Sequence, residues 1–307
     1  MKNQPFRPAI WFKAARLRTL PLALAVSGLG NFLAIYSSGF QWIIVFFSIG
    51  TTIFLQVLSN FSNDLGDSIH GADHKDRKGP MRTVQSGELS KKQMLSAVYL
   101  MAGLSLVTGC FLLWVSFQNQ WEKTLPFFFI GIASIAAAYL YTNGKKPYGY
   151  QALGDASVFI FFGLVAVLGT AYLHNHDMDV NNILPAIWLG CWSTAVLNIN
   201  NMRDIESDQQ AGKQTIPTVL GLKASKIYHW ALIGIGFTSI LIFAILKQDL
   251  CFLGAIPGTS LVFKTTFAIN KTEDIEAMDQ YLKPQAIGTF LAVLGIIIFS
   301  VFLHFIF

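Results

Sequence analysis

The sequence predicts an all-α polytopic membrane protein whose nine transmembrane helices surround a central cavity. Of its 307 residues, 53% are hydrophobic and only 13% are charged, whereas an ordinary soluble domain has roughly 25% charged residues. The mean hydropathy is +0.50. Helices are predicted rather than open sheets because every backbone polar group must be satisfied within the lipid. Two acidic motifs at the ends of apolar runs predict the cavity.

Nine apolar segments are each long enough to cross a hydrocarbon core of about 30 Å as a helix. We therefore predict a single transmembrane domain over residues 1–307. The predicted spans lie near residues 19–38, 41–61, 93–117, 125–142, 153–173, 183–202, 226–246, 249–269 and 284–307.

The first acidic motif follows the second span. Asn60, Asn63, Asp64 and Asp67 are spaced i, i+3, i+4 and i+7, so a helix would place them on one face. A charged side chain within a membrane costs at least about 2.5–3.5 kcal/mol. This face is therefore predicted to line a polar cavity.

The second motif follows the sixth span and resembles the first. Asn200, Asp204 and Asp208 are spaced i, i+4 and i+8, which again predicts one helix face. Both motifs follow a Val-Leu pair, and the offset of four spans preserves the direction of the chain. This pattern suggests a parallel pseudo-repeat with motifs near residues 60–82 and 198–217, although convergence on one binding pattern would also explain it.

The two motifs together predict a divalent metal site. Mg²⁺ prefers oxygen and commonly binds carboxylates, waters and substrate phosphates. The alternative is that each Asp caps a helix or pairs with a nearby Arg. The predicted metal ligands are Asp64, Asp67, Asp204, Asp208, Asn60 and Asn200.

Basic residues close to the motifs are predicted to bind a phosphorylated ligand. Arg77 and Arg82 flank the turn at Gly79-Pro80, and Lys213 follows the second motif. Arg suits bidentate recognition of phosphate. The alternative is that these cations only mark the cytoplasmic side of the membrane.

The connection after the fourth span is rich in Tyr and Lys. Tyr139 and Tyr141 are candidate binding residues, although an interfacial Tyr belt is the ordinary explanation. Lys145 and Lys146 add positive charge. Asp155 opens the fifth span, where it is a candidate for a helix N-terminal acid, a base or an acceptor-binding group.

Basic residues also predict the topology. The segments on one side of the nine spans contain 20 of the 22 Lys and Arg residues, and the other side has Lys123 and Lys247. By the positive-inside rule, the N-terminus and both acidic motifs are cytoplasmic and the C-terminus is outside.

These motifs resemble those of the UbiA superfamily of intramembrane prenyltransferases. The resemblance covers nearly the whole chain, through Asn63-Asp64-Leu-Gly-Asp67 after the second span and Asp204-Ile-Glu-Ser-Asp208 after the sixth. More narrowly, Arg16-Leu-Arg18-Thr-Leu-Pro21, Gly79-Pro80-x-Arg82 and the Lys146–Asp155 segment resemble the branch that prenylates 1,4-dihydroxy-2-naphthoate in menaquinone synthesis.

The resemblance implies Mg²⁺-dependent transfer from a polyprenyl diphosphate to this aromatic acceptor, with decarboxylation to demethylmenaquinone, in a bacterial inner membrane. Its partners would be these substrates and membrane lipid, without nucleic acid. The four Asp residues would hold Mg²⁺ and Asp155 would assist proton removal. The other implied substrate contacts are Arg77, Arg82, Lys145 and Lys213 with the diphosphate, Tyr139 or Tyr141 with the allylic cation, and Arg18 or Lys146 with the acceptor carboxylate.

Two other functions are considered. One is prenylation of a different ring, such as 4-hydroxybenzoate, homogentisate or a tetrapyrrole, with the same metal site. The other is an ion or lipid transporter, which would need acidic residues along the whole pathway. Beyond Asp64 and Asp204, however, the spans contain almost no ionisable groups.

Overall fold

The structure is a computed structural model that describes residues 7–36, 39–71 and 79–306. These ranges are helical with connecting turns, and the only β feature among them is an isolated bridge between Gln151 and Gln214. Within them, nine helical segments are long and apolar enough to span a membrane, which confirms the predicted fold class. The spans are Leu17–Tyr36, Trp42–His70, Lys91–Phe117, Trp121–Leu140, Gly154–Asn175, Val180–Arg203, Ile216–Lys247, Leu250–Lys271 and Glu276–His304.

Twelve α-helices build these spans and the short elements between them. A π-helical segment, Phe159–Leu168, joins α6 to α7 within the fifth span. The helices are α1 Pro8–Ala14, α2 Leu20–Leu33, α3 Trp42–His70, α4 Lys91–Phe117, α5 Trp121–Leu140, α6 Gly154–Val158, α7 Gly169–Asn175, α8 Ile183–Arg203, α9 Ile205–Gln210, α10 Ile216–Lys247, α11 Ile256–Lys271 and α12 Asp279–Ile306.

Helix α3 is longer than the apolar pattern predicted. It continues through the first acidic motif to His70 and ends at Gly71, whose φ of 78° is the left-handed conformation that glycine adopts without strain. The predicted span ended near residue 61 because the hydropathy falls at the polar residues that follow. The helix itself continues through them. The motif is therefore presented from a rigid helix.

The spans divide into a group around the cavity and a group behind it. Residues of the first six spans and of the ninth line the cavity. The seventh span packs behind the sixth, where Trp188 and Trp192 of α8 are fully buried in the largest apolar cluster. The sixth span is thus supported on one side and faces the cavity on the other.

The last two spans approach so closely that glycine is required at their contact. A Cβ atom on Gly295 would lie 1.9 Å from the carbonyl oxygen of Gly254, and a Cβ on Gly258 would lie 2.1 Å from the amide nitrogen of Ala292. No residue with a Cβ atom fits at such distances. The contact therefore depends on the absence of side chains, as is common between membrane helices.

We predict that Gly295→Ala lowers the stability of the protein by about 1–3 kcal/mol, the usual cost of overpacking. Gly234→Ala in α10 is the matched control because a Cβ there meets nothing within 4 Å, and Ala is favoured over Gly in helices by about 1 kcal/mol. Thermal unfolding in detergent gives the unfolding temperature of each of the two variants. Unfolding of Gly295→Ala at the wild-type temperature would contradict the prediction.

Candidate functional site

A central cavity of about 560 Å³ is polar at one end and apolar along the rest of its length. Ser48 and Asp67 of α3 both line it, and at about 1.5 Å per residue the stretch of helix between them is about 28 Å long. The cavity therefore extends across most of the depth of the spans. The polar end includes Arg16, Arg18, Thr19, Gln56, Asn60, Asn63, Asp67, Arg82, Tyr141, Asn200, Asn201 and Lys213. The apolar part includes Leu106, Leu112, Leu113, Phe127, Phe128, Phe161, Phe162 and Leu173.

In the first motif, Asp64 holds the segment that follows the Gly79-Pro80 turn. Its Oδ2 accepts hydrogen bonds from Thr83 Oγ1 at 2.5 Å and from the Thr83 amide at 3.2 Å, and its Oδ1 accepts from the Val84 amide at 3.2 Å. The side chain is buried. Asp64 thus fixes the backbone that carries Arg82 over the end of α3.

Asp67 is the acidic residue of this motif that lines the cavity. It forms a buried ion pair with Arg82 Nη1, and its Oδ1 accepts a hydrogen bond of 2.7 Å from Tyr150 Oη. Arg82 Nη1 also donates to the carbonyl oxygen of Asn63 at 2.7 Å. A cation and a phenol therefore hold this carboxylate from two sides.

The second motif does not form one continuous helix face, and this prediction was wrong. The α-helix ends at Arg203, and Asp204 has φ −96° and ψ 11° before α9 begins. Arg203 Nε and Nη2 donate to the two oxygens of Asp204 at 2.8 and 2.6 Å, and Nη2 also donates to Asn200 Oδ1 at 2.8 Å. Pairing with the neighbouring guanidinium fixes Asp204 at this interruption.

The two motifs meet through Tyr150 and Lys213. Lys213 Nζ lies 3.2 Å from Asp208 Oδ1 and 5.4 Å from the ring centroid of Tyr150, whose hydroxyl contacts Asp67. The backbone joins the same two segments, because Gln214 N donates to Tyr150 O at 3.1 Å. The predicted convergence of the two acidic motifs is therefore present.

Burial and neighbouring charges shift the pKa values of two side chains at this meeting point. Burial and the nearby carboxylates of Asp204 and Asp67 raise the pKa of Asp208 to about 6, against the opposing effect of Lys213. Burial alone would lower the pKa of Lys213, but the charges of Asp208 and Asp67 outweigh burial and raise it. Both directions favour an additional cation at this point.

A divalent cation fits these residues in chemistry, although the carboxylates are held by protein donors. Among the described residues, no three His, Cys, Asp or Glu side chains form a ready cluster for a metal. Asp208 Oδ2, however, is buried and has no hydrogen-bond partner in the described part of the chain. A buried carboxylate oxygen without a donor is a site that a hard cation can satisfy.

Several other predicted residues lie at the cavity. Asn60 lines it and donates to Ala15 O at 2.8 Å, which ties the first motif to the start of the first span. Asn200 and Tyr141 also line it, as does Arg18, whose guanidinium pairs with Asp279. Tyr141 is closely enclosed, because a Cβ on Gly154 would lie 2.7 Å from its hydroxyl oxygen.

The remaining predicted residues lie elsewhere. Lys145 and Lys146 are exposed and do not line the cavity, because the chain turns outward at Gly144, where φ is 93°. Tyr139 packs in a separate apolar cluster with Leu65. These positions do not support the predicted substrate contacts of the three residues.

Asp155 is the remaining predicted residue that the structure describes. Asp155 lies outside the main cavity, in a smaller pocket where its Oδ1 accepts a hydrogen bond of 3.2 Å from Tyr228 Oη. This position does not support a role as base or acceptor-binding group, because its helix turns the side chain toward α10. Arg77 lies outside the residues that the structure describes.

Sequence reasoning missed three residues of the site. Neither Tyr150 nor Arg203 was predicted as a site residue, although the alternative that an Asp pairs with a nearby Arg describes Asp204 and Arg203. Asp279 was not considered, although its carboxylate pairs with both Arg18 and Arg203. An Arg at the end of a long apolar span was a usable signal for a buried partner, but the contact with Asp279 is a long-range one.

Comparison with known families and proteins gives a consistent result. The family model described as UbiA prenyltransferase family matches residues 22–292. The chain is 44% identical over 238 residues to 1,4-dihydroxy-2-naphthoate octaprenyltransferase of Haemophilus influenzae, covering 77% of each chain. It is 39% identical to the protein of the same name in Escherichia coli, covering 76% of this chain and 75% of that one.

Solved structures share the fold. A UbiA homolog from Aeropyrum pernix K1 superposes with a TM-score of 0.69 at 16% identity, covering 92% of this chain and 98% of that one. A UbiA homolog from Archaeoglobus fulgidus bound to GPP and Mg²⁺ superposes with a TM-score of 0.67 at 14% identity, covering 94% of this chain and 99% of that one.

We predict that Tyr150→Phe destabilises the protein by roughly 1.5–3 kcal/mol, because it removes a hydrogen bond to a buried carboxylate. Tyr99→Phe is the control, since Tyr99 is 65% exposed. Thermal unfolding in detergent compares the two variants. If both unfold at the same temperature, the bond from Tyr150 to Asp67 does not secure the meeting point of the motifs.

Proposed function

Because the chain belongs to the UbiA prenyltransferase family, we propose that it transfers a polyprenyl group from a polyprenyl diphosphate to 1,4-dihydroxy-2-naphthoate. The acceptor loses its carboxylate as carbon dioxide, and the product is the prenylated hydroquinone, demethylmenaquinol, whose conversion to demethylmenaquinone is a separate two-electron oxidation. The observation that carries this proposal is one cavity with a long apolar body and a polar end, which is lined by Asp67 of the first motif, Asn200 of the second and Lys213, the partner of Asp208. Such a cavity matches a ligand with a charged head and an isoprenoid tail.

Mg²⁺ would be held by Asp64, Asp67, Asp204 and Asp208, with Asn60 and Asn200 beside them. When bound, it would neutralise charge on the diphosphate and stabilise this leaving group. The orphaned oxygen of Asp208 supports this assignment. The solved structure of the Archaeoglobus fulgidus homolog with GPP and Mg²⁺ supports it for the fold.

The basic residues have a second role in this proposal. Arg82 and Lys213 pair with Asp67 and Asp208, and both line the cavity. Once these carboxylates have another cation, the two side chains can turn to the diphosphate without leaving any buried charge unpaired. Placed there, they stabilise the negative charge that develops as the carbon–oxygen bond breaks.

Tyr141 is the predicted aromatic residue that lines the cavity. The absence of side chains at Gly149 and Gly154 lets the backbone close around it. The face of an aromatic ring stabilises a cation by about 0.5–2 kcal/mol. We therefore assign Tyr141, rather than Tyr139, to the allylic carbocation.

The acceptor completes the reaction. The electron-rich ring forms a carbon–carbon bond with the allylic carbon as the diphosphate leaves. The electron pair of the carboxylate bond stays with the ring when carbon dioxide departs. Arg18 lines the polar end and is our candidate for the carboxylate, whereas the exposed Lys146 lies outside the cavity.

The location of the protein follows from the same chemistry. The isoprenoid tail must stay in lipid while its diphosphate remains close to water. The distribution of Lys and Arg supports a cytoplasmic N-terminus and active-site mouth and an external C-terminus. We assign the protein to a bacterial inner membrane.

The direct test uses purified protein, Mg²⁺ and one polyprenyl diphosphate. Mass spectrometry should detect decarboxylated, prenylated product from 1,4-dihydroxy-2-naphthoate, and chelation of the metal should abolish its formation. 4-Hydroxybenzoate and homogentisate serve as competing acceptors. Product from one of these rings, without product from the naphthoate, would overturn the choice of acceptor.

Substitutions of Lys213 and Lys145 should differ in their effect on binding of the prenyl diphosphate. Lys213→Gln should raise the KM for the prenyl diphosphate about tenfold or more, because a charge-assisted contact contributes about 1.5–3 kcal/mol. Lys145→Gln is the matched control, since it removes the same charge from an exposed position outside the cavity. Equal KM values for the two variants would refute the role of Lys213 in binding diphosphate.

A further inference from the structure

Asp279 connects two arginines that come from distant parts of the chain. It is the first residue of α12, and its two oxygens accept hydrogen bonds from Arg18 Nη1 at 3.2 and 3.1 Å. Its Oδ1 also accepts a short hydrogen bond from Arg203 Nη1. Asp279 belongs to neither acidic motif, yet it contacts the arginine that holds Asp204.

The guanidinium of Arg203 must always have anionic partners. The side chain is completely buried, whereas that of Asp279 is 31% exposed. A buried charge without a partner costs several kcal/mol, so Arg203 cannot release one carboxylate unless it retains another. The two carboxylates in contact with Arg203 among the described residues are Asp204 and Asp279.

This arrangement controls Asp204. Arg203 donates to both of its oxygens, which leaves this carboxylate occupied by the protein itself. Each carboxylate oxygen has a second lone pair, but the positive guanidinium repels a divalent cation there, so cation binding to Asp204 favours withdrawal of Arg203 from at least one oxygen. Asp279 already touches Nη1 and can take the guanidinium when that happens.

We propose that Asp279 is a positioning residue that accepts Arg203 when Asp204 turns to a cation. The inference rests on the proposed function, in which Asp204 is a metal ligand. Asp279 acts through Arg203 and needs no contact with the metal or with either substrate.

Arg18 gives the arrangement a second consequence. It lines the cavity and shares the carboxylate of Asp279 with Arg203. A substrate carboxylate that pairs with Arg18 frees Asp279 for Arg203, which in turn frees Asp204. Binding of the acceptor and binding of the cation then favour each other, and this coupling is reciprocal.

The test measures Mn²⁺ binding to the purified full-length protein in detergent by electron paramagnetic resonance, without substrate. Asp279→Asn should weaken Mn²⁺ binding about tenfold or more, as loss of a residue behind a metal ligand typically does. Arg18→Gln should strengthen it several-fold, because Asp279 is then left to Arg203. Opposite shifts cannot arise from general loss of structure.

Two controls make the same changes of charge at nearby exposed positions. Glu273→Gln lies in the connection before α12 and Lys271→Gln at the end of α11, and both should leave the Mn²⁺ affinity within about twofold of wild type. Asp279→Glu restores the carboxylate and should recover part of the affinity. Adding 1,4-dihydroxy-2-naphthoate should tighten Mn²⁺ binding in the wild type and not in Asp279→Asn or Arg18→Gln.

The outcomes separate this inference from the proposed function. If the wild type forms product and binds Mn²⁺ while Asp279→Asn and Arg18→Gln bind it equally well, the inference alone is overturned. If the wild type binds no Mn²⁺, both the metal role of Asp204 and the inference fail. Should Asp279→Asn not fold, Arg18→Gln decides, because an unchanged affinity in that variant contradicts the inference.

Discussion

The site depends on keeping four carboxylates buried together at one end of an apolar cavity. Asp64, Asp67, Asp204 and Asp208 are all at most 3% exposed. Like charges in such surroundings repel each other and lose their hydration, so each needs a donor or a cation. The protein provides Thr83 and Val84 for Asp64, and basic side chains for the other three. These are the partners that a metal and a diphosphate would rearrange.

The fold brings these charges together through close contacts of the backbone. Helix α3 carries the first motif up to the connection after the fourth span, where a Cβ on Gly66 would lie 2.4 Å from the Thr142 carbonyl oxygen. That connection is bonded to the segment after the second motif through the Gln151–Gln214 bridge. Tyr150 and Lys213 lie beside this bridge, so the backbone fixes the positions of the two side chains that join the motifs.

Much of this arrangement could be predicted from the sequence. Apolar length identified nine spans, and the spacing of acidic residues at the ends of two of them identified the motifs. Lys213 and Arg82 were predicted because each follows an acidic motif closely, Arg82 directly after the turn at Gly79-Pro80. These signals are local, and each follows from the cost of placing charge in a membrane.

The parts that were missed depend on the direction of side chains and on long-range contacts. A positive φ at Gly144 turns Lys145 and Lys146 away from the cavity, and no hydropathy pattern reports such a turn. Asp155 faces α10 instead of the cavity because of how its helix is rotated. Asp279 lies far from Arg203 in sequence, so only the packing of α12 against α8 brings them together.

The central claim is that both acidic motifs share one cation–diphosphate ligand. A structure of the protein with Mg²⁺ and a non-reactive prenyl diphosphate analogue tests it most directly. We expect metal contacts with carboxylates from α3 and from the Asp204–Asp208 segment, with Arg82 and Lys213 turned to the diphosphate. A diphosphate bound away from either motif, with Asp204 still held at both oxygens by Arg203, would contradict it.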